Sequence, residues 1–318
     1  MLSRTADHLF WLARYMERAE NTARMLDVSY QTSLLAQTSS AVENGWRGIL
    51  SISELTPDYQ SRFGEIDARR VTEFIVSDER NPSSILNCLR AARENARAVR
   101  GAVTTEVWET TNQTWLEFTR LLGAGTLVRD PTAVFEWVKF RSHLSRGVTV
   151  GTMLQDEAFN FIRIGSFLER ADNTARLLDV KFHGVESEFF GSADERDTAS
   201  DFYHWSALLR SVSGFEIYRK VYSNVIQPDK VAELLILRSN MPRSLAHCME
   251  RLVNNLKYVA NDQSADTERL AGRLNADLQF ARIDEILKTG LHAFLIEFLE
   301  RVAALGAGIS RDFLLPSS

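Results

Sequence analysis

Cysteine is scarce: Cys88 and Cys248 are the only two among 318 residues. A disulfide framework has too few members to form, and no Cys/His set carries the spacing of a zinc site. Proline occurs six times. Each proline interrupts a helix, so that scarcity permits long ones. No run of about 18 apolar residues occurs, so no membrane-spanning helix is expected. The opening Met1-Leu2-Ser3-Arg4-Thr5-Ala6-Asp7-His8 is too polar to begin a secretory signal, which makes the cytoplasm the expected location. Basic charge is not in excess: 37 Lys and Arg stand against 42 Asp and Glu, a net charge of −5. That balance lacks the concentrated basic surface that nucleic-acid binding needs. Neither a Gly-x-x-x-x-Gly-Lys nor a Gly-x-Gly-x-x-Gly phosphate loop is present, and Gly123-Ala124-Gly125 and Gly306-Ala307-Gly308 read as breaks.

What is there is a repeat. Residues 16–28 read Met-Glu-Arg-Ala-Glu-Asn-Thr-Ala-Arg-Met-Leu-Asp-Val, and residues 168–180 read Leu-Glu-Arg-Ala-Asp-Asn-Thr-Ala-Arg-Leu-Leu-Asp-Val. Ten of thirteen positions are identical at an offset of 152, too many for chance. Further matches follow in order, with the offset growing to 159 or 160. Trp46 pairs with Trp205, and the stretch from Val71 to Val76 pairs with that from Val231 to Ile236. Pro82, Ser84, Ile85, Cys88 and Asn95 pair with Pro242, Ser244, Leu245, Cys248 and Asn255. The last third of each half matches poorly. Duplication of a unit of about 150 residues follows, with halves 1–152 and 153–318 forming one compact unit.

Each half reads as helices joined by short breaks. Ser3 is placed to cap a first helix over roughly 4–36. Pro82-Ser83-Ser84 opens one near 83–101, Pro242-Arg243-Ser244 its counterpart near 243–260, and Pro131-Thr132 one running to about 145. Polar connectors are predicted near 37–43, 54–67, 123–131, 183–199 and 261–266. No period-2 strand pattern extends beyond a few residues. The expected fold is all-α: a helical bundle of two tandem, diverged repeats related by a pseudo-two-fold.

The repeated helix carries the densest chemistry. In the first copy Trp11, Tyr15, Ala19 and Leu26 form an apolar stripe flanked by Leu12, Met16 and Ala23. Glu17, Asn21, Arg24 and Asp27 lie opposite, as do Glu169, Asn173, Arg176 and Asp179 in the second copy. A solvated face would hold these through internal pairs such as Glu17–Asn21 and Glu20–Arg24. Two features argue for an approaching helix instead. Phe10 and Ala13, and likewise Ile162 and Gly165, lie beside the polar stripe, and the two copies kept its residues while the halves drifted. Once buried, the stripe has two possible roles. It is a structural network in which Glu of one copy meets Arg of the other, or a site that binds a polar ligand or does acid–base work. The candidate set is Glu17, Arg18, Glu20, Asn21, Arg24, Glu169, Arg170, Asp172, Asn173 and Arg176.

Other groups carry less. The histidines His8, His143, His183, His204, His247 and His292 lack the Glu-x-x-His pairs of a di-iron bundle, and no metal or other cofactor is expected. Cys88 and Cys248 fall at matching positions on apolar faces, as buried packing groups do. Lys139, Arg141, His143 and Arg146, with Arg129 nearby, form a basic group read as solvated helix charge. Helical isoprenoid synthases hold magnesium on aspartate-rich helices. Here Asp262-x-x-x-Asp266 and Asp194-Glu195-Arg196-Asp197 fall in polar connectors, which speaks against that reading.

The opening segment, Tyr15-Met16-Glu17-Arg18-Ala19-Glu20-Asn21 and Phe167-Leu168-Glu169-Arg170-Ala171-Asp172 resemble the bacterial Alpha-E domain family. So do the stretch Asp201 to Ser211, Pro242-Arg243-Ser244-Leu245 and Gly290-Leu291-His292-Ala293-Phe294. The resemblance spans essentially the whole chain, and by the family's motif it carries over Glu17, Arg18, Glu169 and Arg170. It implies a genomic context: such genes neighbour a circularly permuted ATP-grasp protein, to which the domain is sometimes fused, and a transglutaminase-like cysteine protease. ATP-grasp enzymes join a carboxylate to an amine, so the implied setting is amide or peptide ligation. In that setting this chain is an accessory or substrate-binding partner or, alternatively, an enzyme whose site lies between the duplicated helices. No nucleic acid and no membrane is implied.

Overall fold

A computed structural model describes residues 1–35, 39–189, 198–222 and 225–314. Sixteen α-helices and one closing π-helical turn account for about four fifths of them, and no strand occurs among the described residues. The helices are α1 (Ser3–Leu35), α2 (Ser39–Ile52), α3 (Thr56–Phe63), α4 (Ala68–Val76), α5 (Ile85–Ala98), α6 (Thr105–Gly123), α7 (Thr126–Arg129) and α8 (Pro131–Thr152). They continue with α9 (Glu157–Phe189), α10 (Thr198–Ser211), α11 (Phe215–Val221), α12 (Pro228–Ile236), α13 (Leu245–Tyr258), α14 (Ala265–Phe280), α15 (Ile283–Thr289) and α16 (Leu291–Ile309). The π-helical turn covers Ser310–Leu314.

Local chemistry sets the breaks. Ser84 and Ser244 each accept a backbone N–H three residues on, from Asn87 at 3.2 Å and His247 at 3.0 Å, and so start α5 and α13. The helices expected near 83–101 and 243–260 thus begin two residues later, at Ile85 and Leu245. Tyr59 and Tyr218 are buried and pin the entries to α4 and α12. Each hydroxyl donates to a carbonyl, of Glu65 or Val225, and accepts from a backbone N–H, of Asp67 or Gln227.

Several expected connectors are helical instead. The stretch 54–67 holds α3, whose proline at the first turn starts a helix rather than breaking one. The stretch 39–43 belongs to α2, and α9 continues to Phe189. The helix opened by Pro131 runs on to Thr152, through Gly147 and Gly151. Asp266 sits in the first turn of α14, where it pairs with Arg269, and not in a loop. The segment from Asp194 to Asp197 lies outside the described residues.

The central element is α1. Leu12, Met16, Ala19, Ala23 and Leu26 enter one apolar core, built from residues up to Val138. Ala6, Leu9, Phe10, Ala13 and Met25 enter the other, built mainly from residues 153–314. With apolar neighbours on both sides, α1 is buried nearly all round, and its polar stripe has no open water to face. The amphipathic reading with a solvated face is therefore incorrect: Glu17, Glu20, Asn21, Arg24 and Asp27 are all buried, whereas Trp11 and Tyr15 are only half-buried.

Candidate functional site

The helices α1 and α9 pack directly on one another. Their closest approach uses small residues: a Cβ added to Gly165 would touch the Ala13 methyl at 3.3 Å and collide with the Phe10 carbonyl oxygen. These are the apolar and small residues that stood beside the polar stripe in the sequence.

The Glu-Arg dipeptides meet across this contact. Arg170 donates from Nε and Nη2 to the two oxygens of Glu17, both at 2.8 Å. Arg18 donates from Nε to Glu169 Oε1 at 2.6 Å and from Nη2 to Oε2 at 3.2 Å. Glu17 and Glu169 are 152 positions apart, as are Arg18 and Arg170. Each motif thus grips the other through a two-pronged guanidinium–carboxylate pair, the geometry that matches arginine's planar fork.

Two further relations recur at matched positions. Arg24 Nη1 donates to Ser213 Oγ at 2.6 Å, and Arg176 Nη1 donates to Glu54 Oε1. Ser213 and Glu54 are the two non-glycine residues with positive φ among the described residues, 52° and 56°. Each follows the helix, α10 or α2, that precedes the turn. Within the helices, Arg24 pairs with Glu20 and Arg176 with Asp172. The expected Glu20–Arg24 pair is present. The Glu17–Asn21 pair is absent, because Asn21 Oδ1 accepts from Arg243 at 2.7 Å while its Nδ2 is buried without a partner.

Around Glu17 and Glu20 the network closes completely. Arg243, from the turn before α13, donates to Glu17 at 3.0 Å and to Glu20 at 2.5 Å. From α8, Arg146 and Ser142 both donate to Glu20 Oε2, the latter at 2.7 Å. Arg24 Nη2 donates to His143 Nε2 at 3.1 Å. Glu169 is closed by Arg18 and by Arg14, whose Nε donates at 2.7 Å. Arginine pairing with Arg24 and Arg176 is therefore not what satisfies Glu17 and Glu169; the partners are Arg170 with Arg243, and Arg18 with Arg14.

These pairs decide the protonation states. Burial opposes the charge on Glu17, but the Arg170 and Arg243 guanidiniums outweigh it and bring its pKa down to about 2. Burial opposes the charge on Glu20 too, and Arg243, Arg146 and Arg24 hold it well below the usual carboxylate range. Glu169 is lowered against its burial by Arg14 and Arg18. Burial depresses the pKa of His143, so the ring that accepts from Arg24 stays neutral. All three carboxylates are ionised and accept at both oxygens, and their lowered pKa values make each a weaker base than an ordinary carboxylate.

The basic group read from α8 does not converge. Lys139 pairs with Asp27 and Glu136, Arg146 with Glu20, and Arg141 turns away to Thr114 and the Thr110 carbonyl on α6. These are buried or half-buried partners of acceptors, not solvated charge. Arg129 donates to the Ala124 carbonyl. Among the described residues no group of three or more His, Cys, Asp or Glu side chains is arranged to hold a metal. The two cysteines are fully buried, which pushes both thiols up to about 12.

A cavity of about 520 Å³ opens beside Glu169. Asp172, Asn173 and Arg176 of α9 line it with Arg14, Arg18 and Asn21 of α1, and α16 closes its far wall. The cavity thus brings together six of the ten candidate residues, Glu169 among them. Glu17, Glu20, Arg24 and Arg170 lie outside it, in the closed network.

The family model for Alpha-E, "a predicted alpha-helical domain with a conserved ER motif", matches residues 1–314. The chain belongs to the Alpha-E family. Of the Glu-Arg dipeptides in the chain, those at Glu17-Arg18 and Glu169-Arg170 supply the four residues that form the reciprocal pairs. The chain is similar to the uncharacterized protein Mb2597 of Mycobacterium bovis, 26% identical over 330 residues that cover 95% of this chain and 35% of the relative. It is similar also to the uncharacterized protein Rv2567 of Mycobacterium tuberculosis, 25% identical over the same shares. The chain thus spans about a third of the length of these curated relatives. No solved structure matches it. No helix among the described residues of this Alpha-E chain is long and apolar enough to cross a membrane.

Arg14, Arg146 and Arg243 complete the site and were not among the sequence candidates. Arg243 had a legible signal: it stands in Pro242-Arg243-Ser244 where the first copy has Pro82-Ser83-Ser84. Arg14 differs likewise from Ser166, its match at 152. In a duplicated frame, an arginine found in one copy alone marks where the copies have diverged in chemistry.

Proposed function

We propose that this Alpha-E chain is a non-catalytic helical partner of an ATP-grasp amide or peptide ligase. The observation that carries the non-catalytic part is the state of the motif carboxylates. Glu17, Glu20 and Glu169 are ionised and each is bound by at least two guanidiniums. A general base must accept a proton in the reaction, and a nucleophile must present a free lone pair. These groups do neither. They hold α1 against α9, and in this reading the two helices meet around a local two-fold inherited from a duplicated unit.

The ligase as partner rests on the family resemblance and its gene context. The length of the mycobacterial relatives is in keeping with it: most of each relative lies outside the matched 35%, leaving room for a further domain. The absence of any phosphate loop in the sequence fits a division of labour in which another polypeptide handles ATP. A link to the transglutaminase-like protease belongs to the same pathway in this reading.

A second reading is favoured by the cavity. A polar pocket of this size beside Glu169 would suit an enzyme of the same pathway whose substrate lies between α9 and α16, where Asp172 and Glu54 are each engaged by Arg176 alone.

Mixing the purified chain with the ATP-grasp protein encoded beside it tests the proposal. The expected result is a complex on gel filtration, altered ligase turnover, and negligible ATP binding by this chain alone. Magnesium-dependent nucleotide binding by the isolated chain contradicts it, as does a ligase that neither binds nor responds.

A further inference from the structure

The two copies of the motif helix are packed differently on their polar faces. Glu20 on α1 accepts from three guanidiniums, those of Arg24, Arg146 and Arg243. Asn21 Oδ1 accepts from Arg243 as well. The residues 152 positions on are Asp172 and Asn173. Asp172 accepts from one guanidinium, that of Arg176, at 2.8 and 3.2 Å, and Asn173 makes no hydrogen bond among the described residues.

Two replacements account for the difference. At the 160-residue offset that relates Pro82 to Pro242, Arg243 corresponds to Ser83. The sequences match poorly here, but α8 and α16 begin 160 positions apart, at Pro131 and Leu291, which sets Gly306 in the place of Arg146 and Ala303 in that of His143. Ser83, Ala303 and Gly306 all line the 520 Å³ cavity, as do Asp172 and Asn173. The cavity therefore occupies the region that two arginine side chains fill on the other face.

We propose that this cavity binds a small molecule through a guanidinium group, which takes at Asp172 and Asn173 the place that Arg243 holds at Glu20 and Asn21. The protein displays the recognition chemistry in its own filled copy: a carboxylate and an amide oxygen one residue apart on a helix, both accepting from one planar donor fork. Charge agrees. The filled face sets four arginines, Arg24, Arg146, Arg170 and Arg243, against two carboxylates, Glu17 and Glu20. The cavity sets three, Arg14, Arg18 and Arg176, against Glu54, Glu169 and Asp172, so it accommodates a further cation. Arg14 and Arg18 already close Glu169, and of the two carboxylates bound by Arg176 alone, Asp172 and Glu54, Asp172 is the one that stands beside an amide, Asn173, as Glu20 stands beside Asn21. The apolar wall from Leu168, Val302 and Ala303 suits the alkyl stem of such a molecule. This inference is independent of any ligase partner.

Calorimetric titration of the full chain with agmatine tests it, with glutarate as an anionic comparator for the arginines that also line the cavity. Saturable agmatine binding and no glutarate binding are expected. Asp172→Asn should weaken agmatine at least about tenfold, the loss of one charge-assisted hydrogen-bond pair. Ser83→Arg, which copies Arg243, should abolish binding by filling the cavity from within. Asp172 is half-buried and bonded only within its own helix, so Asp172→Asn leaves a folded protein to measure even where Ser83→Arg does not fold. Agmatine affinity unchanged in Asp172→Asn, preference for glutarate, or no saturation at millimolar agmatine overturns the proposal.

Discussion

Glu17 and Arg170 meet across the α1–α9 interface with both N···O distances at 2.8 Å and both side chains buried. The equivalent residues Glu169 and Arg18 meet the same way from the opposite helices. The Glu-Arg motif works here as a pair of reciprocal clasps, since each glutamate needs the arginine of the other copy. Desolvating such charges is costly, so a buried pair persists only where its remaining hydrogen-bonding capacity is met, and Arg243 and Arg14 meet it. What the clasps contribute is the register of one helix on the other.

Removing one member leaves its partners buried and uncompensated. Glu17→Ala strands Arg170 and takes from Arg243 one of its two carboxylate partners, and Glu169→Ala strands Arg14 and Arg18. Each should destabilise the fold by about 3–5 kcal/mol. Urea unfolding followed by circular dichroism reads this directly. A Glu17→Ala protein with wild-type stability would mean that the pair is not buried as described.

Acid should unfold this protein through the same carboxylates. Glu17 titrates near 4.5 when unfolded and near 2 when folded. Its folded pKa is depressed, so its contribution is fully present above about pH 4.5 and is lost as pH falls toward 2. Glu20 and Glu169 shift in the same direction and add to the slope. Melting temperature should fall steeply between pH 4.5 and 2. The slope should be shallower in Glu17→Gln, whose melting temperature is lower at neutral pH to begin with.

The helix contact itself predicts a steric limit. A methyl at Gly165 runs into the Phe10 carbonyl oxygen, and backbone cannot swing aside as a flexible side chain can. Gly165→Ala should cost about 1–3 kcal/mol, although alanine is the better helix former. An unchanged or raised melting temperature would show that α1 and α9 have room to separate.

Much of this was legible in the sequence because the stretch at 16–28 recurs at 168–180 and the two could be compared. The all-helical class, the long first helix, the helices opened by Pro82-Ser83-Ser84 and Pro242-Arg243-Ser244, and the approach of a second helix to the Glu-Arg stripe followed from proline scarcity and placement and from Ala13 and Gly165 beside the charges. The polar connectors at 39–43 and 54–67 were misread because short helices built from polar residues look like loops until tertiary packing supplies their apolar face. Burial of α1 on all sides was hidden for a related reason. Its charged residues face arginines from α8, α9 and the turn before α13, and periodicity within one helix carries no information about charges on another. Of the arginines that close the network, Arg146 was visible as one of the basic group of α8, and Arg243 and Arg14 as differences between copies, against Ser83 and Ser166.

The cysteines give a further check on the packing. Both thiols are buried and pushed up to about 12, so the reactive thiolate is absent at neutral pH. The native protein should react with iodoacetamide at neither Cys88 nor Cys248 over the time in which the urea-unfolded chain reacts at both. Peptide mass mapping distinguishes the two states.

The central claim is that the two motif copies stabilise each other through Glu17–Arg170, and a double-mutant cycle tests it most directly. Unfolding free energies would be measured for Glu17→Gln, Arg170→Met, the double variant and the parent chain. A coupling energy of about 2–3 kcal/mol is expected, because each single change strands the other charge and the double change strands less. Additive effects, with no coupling between the two positions, would contradict the account.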